Sequence, residues 1–194
     1  MKRSIDVKIA SSQEWIDKVL SDFPSFLQDH ADCERKASGM ASSFVAKYPN
    51  RIEIIPDLID IAIEEMEHFK QVYEVMSAQG IALNHEIQKD VYVNRLMKLA
   101  RDGREERFLD KLLLASVLEC RGAERFKMVA DNIQDPNLKS FYKTLWTSEA
   151  KHGHVFVTFA LHYFSDNVVY NRLETLMNAE AEILQDIPIR AALH

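Results

Sequence analysis

Residues 57–76, DLIDIAIEEMEHFKQVYEVM, contain the pattern from which the fold can be predicted. Its apolar residues recur every three or four positions, which is typical of a helix with one buried face. Glu65 and His68 lie along that face, and because they are three residues apart their side chains sit one helical turn apart. A carboxylate and an imidazole placed in this way can bind one metal ion together or bridge two.

A second pair of the same form, Glu149 and His152, occurs later in the chain, and each pair follows a lone glutamate. Glu34 precedes Glu65 by 31 residues, and Glu119 precedes Glu149 by 30. A helix-breaking segment falls near the middle of each interval. Two antiparallel helical hairpins would therefore carry their ligands at matching heights, the arrangement of ferritin-like di-iron and di-manganese proteins.

Helical periodicity covers most of the chain. The sequence therefore predicts an all-α, ferritin-like four-helix bundle with additional connecting and C-terminal helices, in a single domain over residues 1–194. With only five glycines and five prolines, the composition disfavours an all-β fold rich in turns. The predicted helices cover residues 12–21, 24–47, 51–79, 84–101, 104–132, 138–164 and 166–185.

The six predicted ligands supply four carboxylates and two imidazoles. Such groups would be costly to bury in an apolar bundle without a cation, and two divalent ions balance four negative charges. This ligand set suits iron or manganese better than structural zinc. We expect two metal ions, iron or manganese, and no catalytic side chain beyond the ligands. We expect Glu65 and Glu149 to bridge the two metals and Glu34 and Glu119 to be terminal ligands. His68 and His152 are each expected to bind one metal.

Composition narrows the class of protein further. The formal charge of −6 argues against binding to nucleic acid by bulk charge, so any such binding requires a local basic patch. The two cysteines form no C-x-x-C pair, which excludes a rubredoxin-type or zinc-ribbon site. The low cysteine count fits a reducing compartment, and neither a signal peptide nor a membrane span is predicted, so we expect a cytoplasmic protein.

Several other residues lie near the predicted ligands in the sequence or share their residue type. Ala37 and Gly122 follow the lone glutamates by three residues, and they either leave room for dioxygen or substrate or allow close helix packing. Cys33 and Cys120 adjoin the same glutamates and are expected to pack as small hydrophobic residues. The remaining histidines lack a partner at metal-binding spacing and are predicted not to be ligands: His30, His85, His154, His162 and His194.

Four segments around the predicted ligands also resemble a known family. The segments are DCERKASGMASSFVAKYP (32–49), DLIDIAIEEMEHFKQVYEVM (57–76), LLLASVLECRGAERF (112–126) and LWTSEAKHGHVF (145–156). They resemble the bacterial tRNA-(2-methylthio-N6-isopentenyladenosine) hydroxylase family, over residues 14–185 approximately. Cys120 stands where relatives often have a smaller residue such as alanine.

The resemblance implies a non-haem di-iron monooxygenase. It would use dioxygen to hydroxylate the isopentenyl side chain of a modified adenosine beside the tRNA anticodon. Electrons would come from an external reductase or a ferredoxin-like donor. The oligomeric state is left open.

A tRNA substrate requires a surface that contacts phosphates. The candidate residues are Arg95, Lys98 and Arg101, which recur every three positions in a locally basic stretch. The alternative is an ordinary solvated face of mixed charge.

Two other functions share the same ligands. One is an iron-storage or ferroxidase protein, and the other is a di-iron hydroxylase of another small substrate. The first requires assembly into a cage, which the additional helices do not suggest. A membrane-bound quinone-ring hydroxylase would need a strongly apolar binding helix, which the sequence lacks. Iron stoichiometry separates an enzyme from a storage protein.

Overall fold

The computed structural model describes residues 5–85 and 90–194, and within these ranges the chain is all-α with no strand. In these ranges no helix combines the length and apolarity needed to cross a bilayer. The described residues form seven helices: α1 (Gln13–Ser21), α2 (Phe23–Lys47), α3 (Ile55–Ala78), α4 (Val91–Met97), α5 (Arg104–Asn132), α6 (Pro136–Leu161) and α7 (Asp166–Asp186).

The chain divides into two compact units. The first, here called the α2–α3 unit, comprises residues 17–88 and 190–193, and the second, the α5–α6 unit, comprises residues 1–16, 89–189 and 194. Each unit contains one of the two predicted hairpins. The expectation of a single domain stays a prediction.

The α2–α3 unit is an antiparallel hairpin with a short connection after Lys47. The hydroxyl of Ser38 on α2 donates a hydrogen bond to the carbonyl of Ala62 on α3 at 2.7 Å. The backbone N–H of Leu193 donates to the Asp29 carboxylate at 2.7 Å, which fixes residues near the C-terminus to α2. Fully buried apolar side chains fill the hairpin, among them Phe26, Leu27, Leu58, Val72 and Met76.

The α5–α6 unit is built around a second antiparallel hairpin, with α4 and α7 packed against α5. Asp135 begins α6, because its carboxylate accepts hydrogen bonds from the backbone N–H groups of Asn137 and Leu138. Phe126 on α5 lies against Tyr142 on α6, with ring centroids 5.6 Å apart. The centre of α5 is buried on most sides, as expected for a helix that contacts three others.

The helix starts and stops predicted from sequence agree with the structure at most ends. Ser12 precedes α1 and its hydroxyl accepts a hydrogen bond from the N–H of Trp15. Gly80 ends α3 with a φ of 70°, a left-handed conformation that glycine adopts readily. The third long helix has the predicted bounds, whereas α3 begins four residues later and α6 two residues earlier, each with a proline in its first turn.

The connecting helix predicted over residues 84–101 is wrong in extent. Only Val91–Met97 is helical, residues 84 and 85 are not, and residues 86–89 lie outside the described ranges. The Asp90 side chain accepts a hydrogen bond from the Val93 N–H and so fixes the start of α4. After Met97, the Arg101 backbone N–H binds Asp110, which draws the chain away from the helical path.

Candidate metal centre

In the α2–α3 unit, three of the predicted ligands converge. Glu34 lies on α2, Glu65 and His68 lie on α3, and their exposures are 3%, 1% and 6%. His68 Nδ1 is 3.4 Å from Glu65 Oε2 and 3.7 Å from Glu34 Oε2. One ligand atom from each residue lies within 4.8 Å of the other two. The hairpin therefore brings two carboxylates and one imidazole together at a buried position.

The α5–α6 unit contains a second triad of the same composition. Glu119 lies on α5, Glu149 and His152 lie on α6, and all three are buried. His152 Nδ1 is 3.6 Å from Glu149 Oε2, and the ligand atoms of the three residues lie within 4.8 Å of one another. Each hairpin thus carries two carboxylates and one histidine, as the sequence predicts.

The donor sets of both triads suit a divalent cation. Two donors bound at right angles to one ion at about 2.1 Å lie about 3 Å apart. The imidazole–carboxylate separations in the triads are 3.4–3.7 Å, which is longer than a good hydrogen bond. Small side-chain rotations would shorten them to the separation of about 3 Å between two donors bound to one ion. Two buried carboxylates per hairpin carry a charge of −2, which one divalent ion would balance. Both triads therefore fit a metal such as iron.

His30, a histidine predicted to be no ligand, contacts the first triad directly. It lies four residues before Glu34 on α2 and is fully buried. Its Nε2 atom is 2.6 Å from Glu34 Oε1. The sequence contains a signal for this contact, because residues four apart share a helix face. A search confined to Glu-x-x-His spacing misses it.

The other histidines belong to neither triad. Among the described residues, the groups of side chains able to hold a metal ion do not include His85, His154, His162 or His194. Their role as non-ligands stays a prediction.

Beside the second triad, α5 and α6 approach closely at Gly153. The Ser116 hydroxyl donates a hydrogen bond to the Gly153 carbonyl at 2.7 Å. A Cβ added to Gly153 would lie 2.7 Å from the Cys120 sulfur, so a larger residue at this position would have to displace the Cys120 side chain. Burial raises the pKa of the Cys120 thiol to about 12, so it packs as a neutral group. Gly153 and Ser116 were not predicted, since their contact joins different helices.

Gly122 has the opposite surroundings. It is buried, yet apart from its two chain neighbours and the nearby backbone of its own helix no described atom lies within 4 Å of the position that a Cβ would occupy. Close packing therefore does not explain this glycine. The space lies one turn after Glu119, as expected if small residues leave room near the ligand.

A buried ion-pair network extends from α5 to α7. The fully buried Arg121 binds Glu180 through Nε and Nη2, at 2.8 and 3.1 Å, and Tyr92 donates to the same carboxylate at 2.8 Å. Arg121 also donates to Glu124 and to the Ile9 carbonyl. Burial lowers the pKa of Arg121, but Glu180 outweighs this and raises it above its ordinary value. Burial and the charge of Glu180 raise the pKa of Tyr92.

The neighbouring Arg125 completes this network. Its guanidinium lies 4.6 Å from the centre of the Trp15 ring, and its Nε atom donates to the Ser11 hydroxyl at 3.1 Å. Burial lowers its pKa to about 10, so it remains charged at neutral pH. The network attaches the segment before α1 to the helix that carries Glu119.

The predicted phosphate-contacting residues have different surroundings. Lys98 is exposed, and Arg95 is half-buried and forms an ion pair with Asp186 at 2.6 Å. Arg101 binds the buried carboxylate of Asp110 through its backbone N–H and its guanidinium. Two of the three cations therefore already have carboxylate partners within the chain.

An apolar groove of about 690 Å³ lies along the α2–α3 unit. It is lined mainly by α3 side chains, of which Ile59, Ile63 and Met66 are substantially exposed. The Ser38–Ala62 hydrogen bond joins two of the lining residues. The groove was not predicted, because the periodicity of the sequence indicates only which face of α3 is buried. Ile59, Ile63 and Met66 are exposed residues outside that face.

The family model described as tRNA-(MS[2]IO[6]A)-hydroxylase (MiaE) matches residues 3–194. A Pseudomonas putida protein named tRNA 2-(methylsulfanyl)-N(6)-isopentenyladenosine(37) hydroxylase is 31% identical over 171 residues, covering 88% of this chain and 82% of the relative. The Salmonella typhimurium protein of the same name is 30% identical over 116 residues, covering 60% of this chain and 42% of the relative.

A solved structure is similar over nearly the whole chain. It is a Synechococcus protein described as having aldehyde deformylating oxygenase activity, with a TM-score of 0.92 and 30% sequence identity. The alignment covers 97% of this chain and 94% of the Synechococcus chain. The all-α, ferritin-like fold class predicted from the sequence is confirmed. Because the family model and the Pseudomonas relative both match most of the sequence, this chain belongs to the tRNA-(MS[2]IO[6]A)-hydroxylase (MiaE) family.

Proposed function

We propose that this oxidoreductase hydroxylates the isopentenyl side chain of 2-methylthio-N6-isopentenyladenosine beside the tRNA anticodon. Family membership and the names of the curated relatives support the substrate. The observation that carries the chemistry is the occurrence of two buried triads with the same composition, one on each hairpin.

We further propose that the two triads together form one di-iron centre. Glu65 and Glu149 would bridge the ions, and Glu34 and Glu119 would be terminal ligands. The mirrored spacing supports this arrangement, because each hairpin supplies a lone glutamate and a Glu-x-x-His pair. Four carboxylates would balance the charge of two ferrous ions.

The bound iron would supply the reduction of dioxygen and the oxidation of an allylic C–H bond. The residues of this chain would hold the metal and exclude water from it. Burial of both triads serves the second role, since water could divert a reactive oxidant. Dioxygen is a co-substrate in this proposal, and an external reductase or ferredoxin-like donor supplies electrons. The cytoplasm is the expected location, because it contains the tRNA.

The tRNA surface is proposed around α4. Because the net charge is −6, phosphate contacts must come from a local cluster. Arg95 and Lys98 are the members to test, since losing Arg101 would also disturb the buried Asp110. Neutralising both should weaken tRNA binding and reduce its salt dependence, as measured by filter binding. Unchanged binding would exclude this surface.

The substrate is tested by analysing tRNA nucleosides from a strain lacking the protein. We expect the unhydroxylated isopentenyl nucleoside to accumulate and the hydroxylated form to disappear. The wild-type chain should restore hydroxylation and Glu65→Ala should not. Glu74→Ala is the matched control, because Glu74 is exposed on the same helix. Persistence of the hydroxylated nucleoside in the deletion strain would refute the substrate.

Iron stoichiometry tests the alternative of iron storage. The proposed enzyme should contain about two iron ions per chain, the number that the six ligands can hold. A mineral of hundreds of ions per assembly would instead indicate a storage protein.

A further inference from the structure

His30 and Glu34 form a buried pair on one face of α2. The exposure of His30 is 0% and that of Glu34 is 3%, so water screens their interaction little. His30 Nε2 lies 2.6 Å from Glu34 Oε1, whereas Glu34 Oε2 lies 3.7 Å from His68 Nδ1. The two oxygens of one carboxylate therefore have different neighbours.

The direction of the hydrogen bond follows from the chemistry of the two groups. An ionised carboxylate only accepts hydrogen bonds, so His30 Nε2 must carry the proton and donate it. A short N–H···O⁻ bond of this kind fixes the carboxylate rotamer and engages one lone pair of Oε1. Oε2 is then the oxygen that faces the rest of the triad.

The second triad differs at the equivalent position. Four residues before Glu119, α5 carries the buried Ala115, whose side chain has no donor. The two lone glutamates thus precede their Glu-x-x-His pairs by nearly the same spacing, 31 and 30 residues, but differ in the side chain one turn before them. The difference bears directly on how each carboxylate can bind a metal ion.

We propose that His30 is a positioning residue for Glu34. It holds Oε1, directs Oε2 toward His68, and makes Glu34 a ligand through one oxygen. The ion held by Glu34 and His68 then differs in affinity from the ion held by Glu119 and His152. The inference rests on the proposed di-metal site. His30 acts through Glu34 and is not itself a ligand, because its Nε2 is engaged by the carboxylate.

The test compares two substitutions of His30. His30→Leu keeps an apolar volume and removes the donor, whereas His30→Gln places an N–H near the position of Nε2. Phe26→Leu is the matched control, because Phe26 is fully buried one turn earlier and its ring contacts His30. The purified full-length proteins would be titrated with Co²⁺ without oxygen, using calorimetry and the visible absorption of the bound ion. Thermal unfolding checks that each variant is folded.

We expect wild-type protein to bind two Co²⁺ ions. His30→Leu should weaken one of the two sites by about 10–100-fold, the usual effect of losing a hydrogen bond to a ligand. Its absorption spectrum should change, because a released carboxylate can bind through both oxygens. His30→Gln should recover most of the affinity, and Phe26→Leu should match the wild type.

Each contrary outcome has its own meaning. If the wild type binds fewer than two ions, the proposed di-metal site fails whatever the variants do. If the wild type binds two and His30→Leu binds them with equal affinity and spectrum, the role of His30 is refuted. If Leu and Gln weaken binding equally, His30 acts through packing and the positioning role is likewise refuted.

Discussion

The two hairpins carry the same ligands in different surroundings. In the α5–α6 unit, Gly153 brings the helices close together, and the Arg121–Glu180 pair attaches α5 to α7. In the α2–α3 unit, an apolar groove follows the helices, and Ile63 on α3 is 56% exposed. The two hairpins show that the same ligand spacing can occur on helices that pack in different ways. We expect packing to fix the second triad, and the His30–Glu34 hydrogen bond to help fix the first.

The largest expected effect comes from the ligands themselves. Glu65→Ala and Glu149→Ala should each abolish binding of the metal pair and turnover, because each removes a proposed bridging ligand. The fold should be largely retained, since removing a buried carboxylate also removes its desolvation cost. Iron content and circular dichroism measure the two effects. If both variants bound two iron ions normally, the ligand assignment would be wrong.

A single ion retained by one of these variants would show which triad binds metal independently. Retention in Glu65→Ala would show that the α5–α6 triad binds an ion by itself. Retention of one ion in Glu149→Ala would instead show that the α2–α3 triad, which contacts His30, binds an ion by itself.

Next in size is the ion pair that stabilises the α5–α6 unit. Glu180→Ala should lower the free energy of unfolding by about 3–5 kcal/mol, because it leaves the charge of Arg121 buried without its main partner. Urea unfolding measures the change, with Glu182→Ala as the control because Glu182 is exposed on the same helix. A loss no larger than in the control would show that packing alone stabilises this unit.

A smaller effect depends on pH and comes from Asp110 at the start of α5. Burial raises the pKa of Asp110, but hydrogen bonds from Arg101 and Arg172 outweigh this and lower it. Because the folded pKa lies below the unfolded value of about 3.9, the stabilisation is complete above that value and is lost as the pH falls through the folded pKa.

Asp110→Asn should therefore be less stable than wild type by about 1–3 kcal/mol at neutral pH. The difference in unfolding free energy should shrink as the pH falls below about 4. Denaturant unfolding over a pH series checks this, with the exposed Asp102→Asn as control. A difference that does not change with pH would contradict the ion-pair account.

The smallest effects come from two glycines in the α5–α6 hairpin. Gly153→Ala should cost about 1–2 kcal/mol through the clash with the Cys120 sulfur, and adding Cys120→Ala should recover much of it. Gly122→Ala should instead stabilise the helix by about 0.5–1 kcal/mol, because the added methyl meets open space. Thermal unfolding measures both. Equal effects would contradict the different packing inferred around them.

The sequence predicted features that depend on local spacing and could not predict contacts between distant residues. The Glu-x-x-His pairs and the bounds of α5 follow from helical periodicity and from Gly103, which stands just before Arg104. The Arg121–Glu180 pair joins residues 59 apart, and no pattern in either helix indicates the partner. The end of α4 depends on the hydrogen bond from the Arg101 backbone N–H to Asp110, which is nine residues later in the chain. His30 could have been found, because four-residue spacing is itself a local signal.

The attachment of the segment before α1 has a consequence for synthesis on the ribosome. The Ile9 carbonyl and the Ser11 hydroxyl bind Arg121 and Glu124, residues that are 112 and 113 positions later in the chain. At about 5–20 residues per second, these partners are translated roughly 5–20 s after the segment itself. The α2–α3 hairpin, whose ligands are local in sequence, can form during that time. We therefore expect the segment of Ile9 and Ser11 to be among the last parts of the described chain to reach its native position.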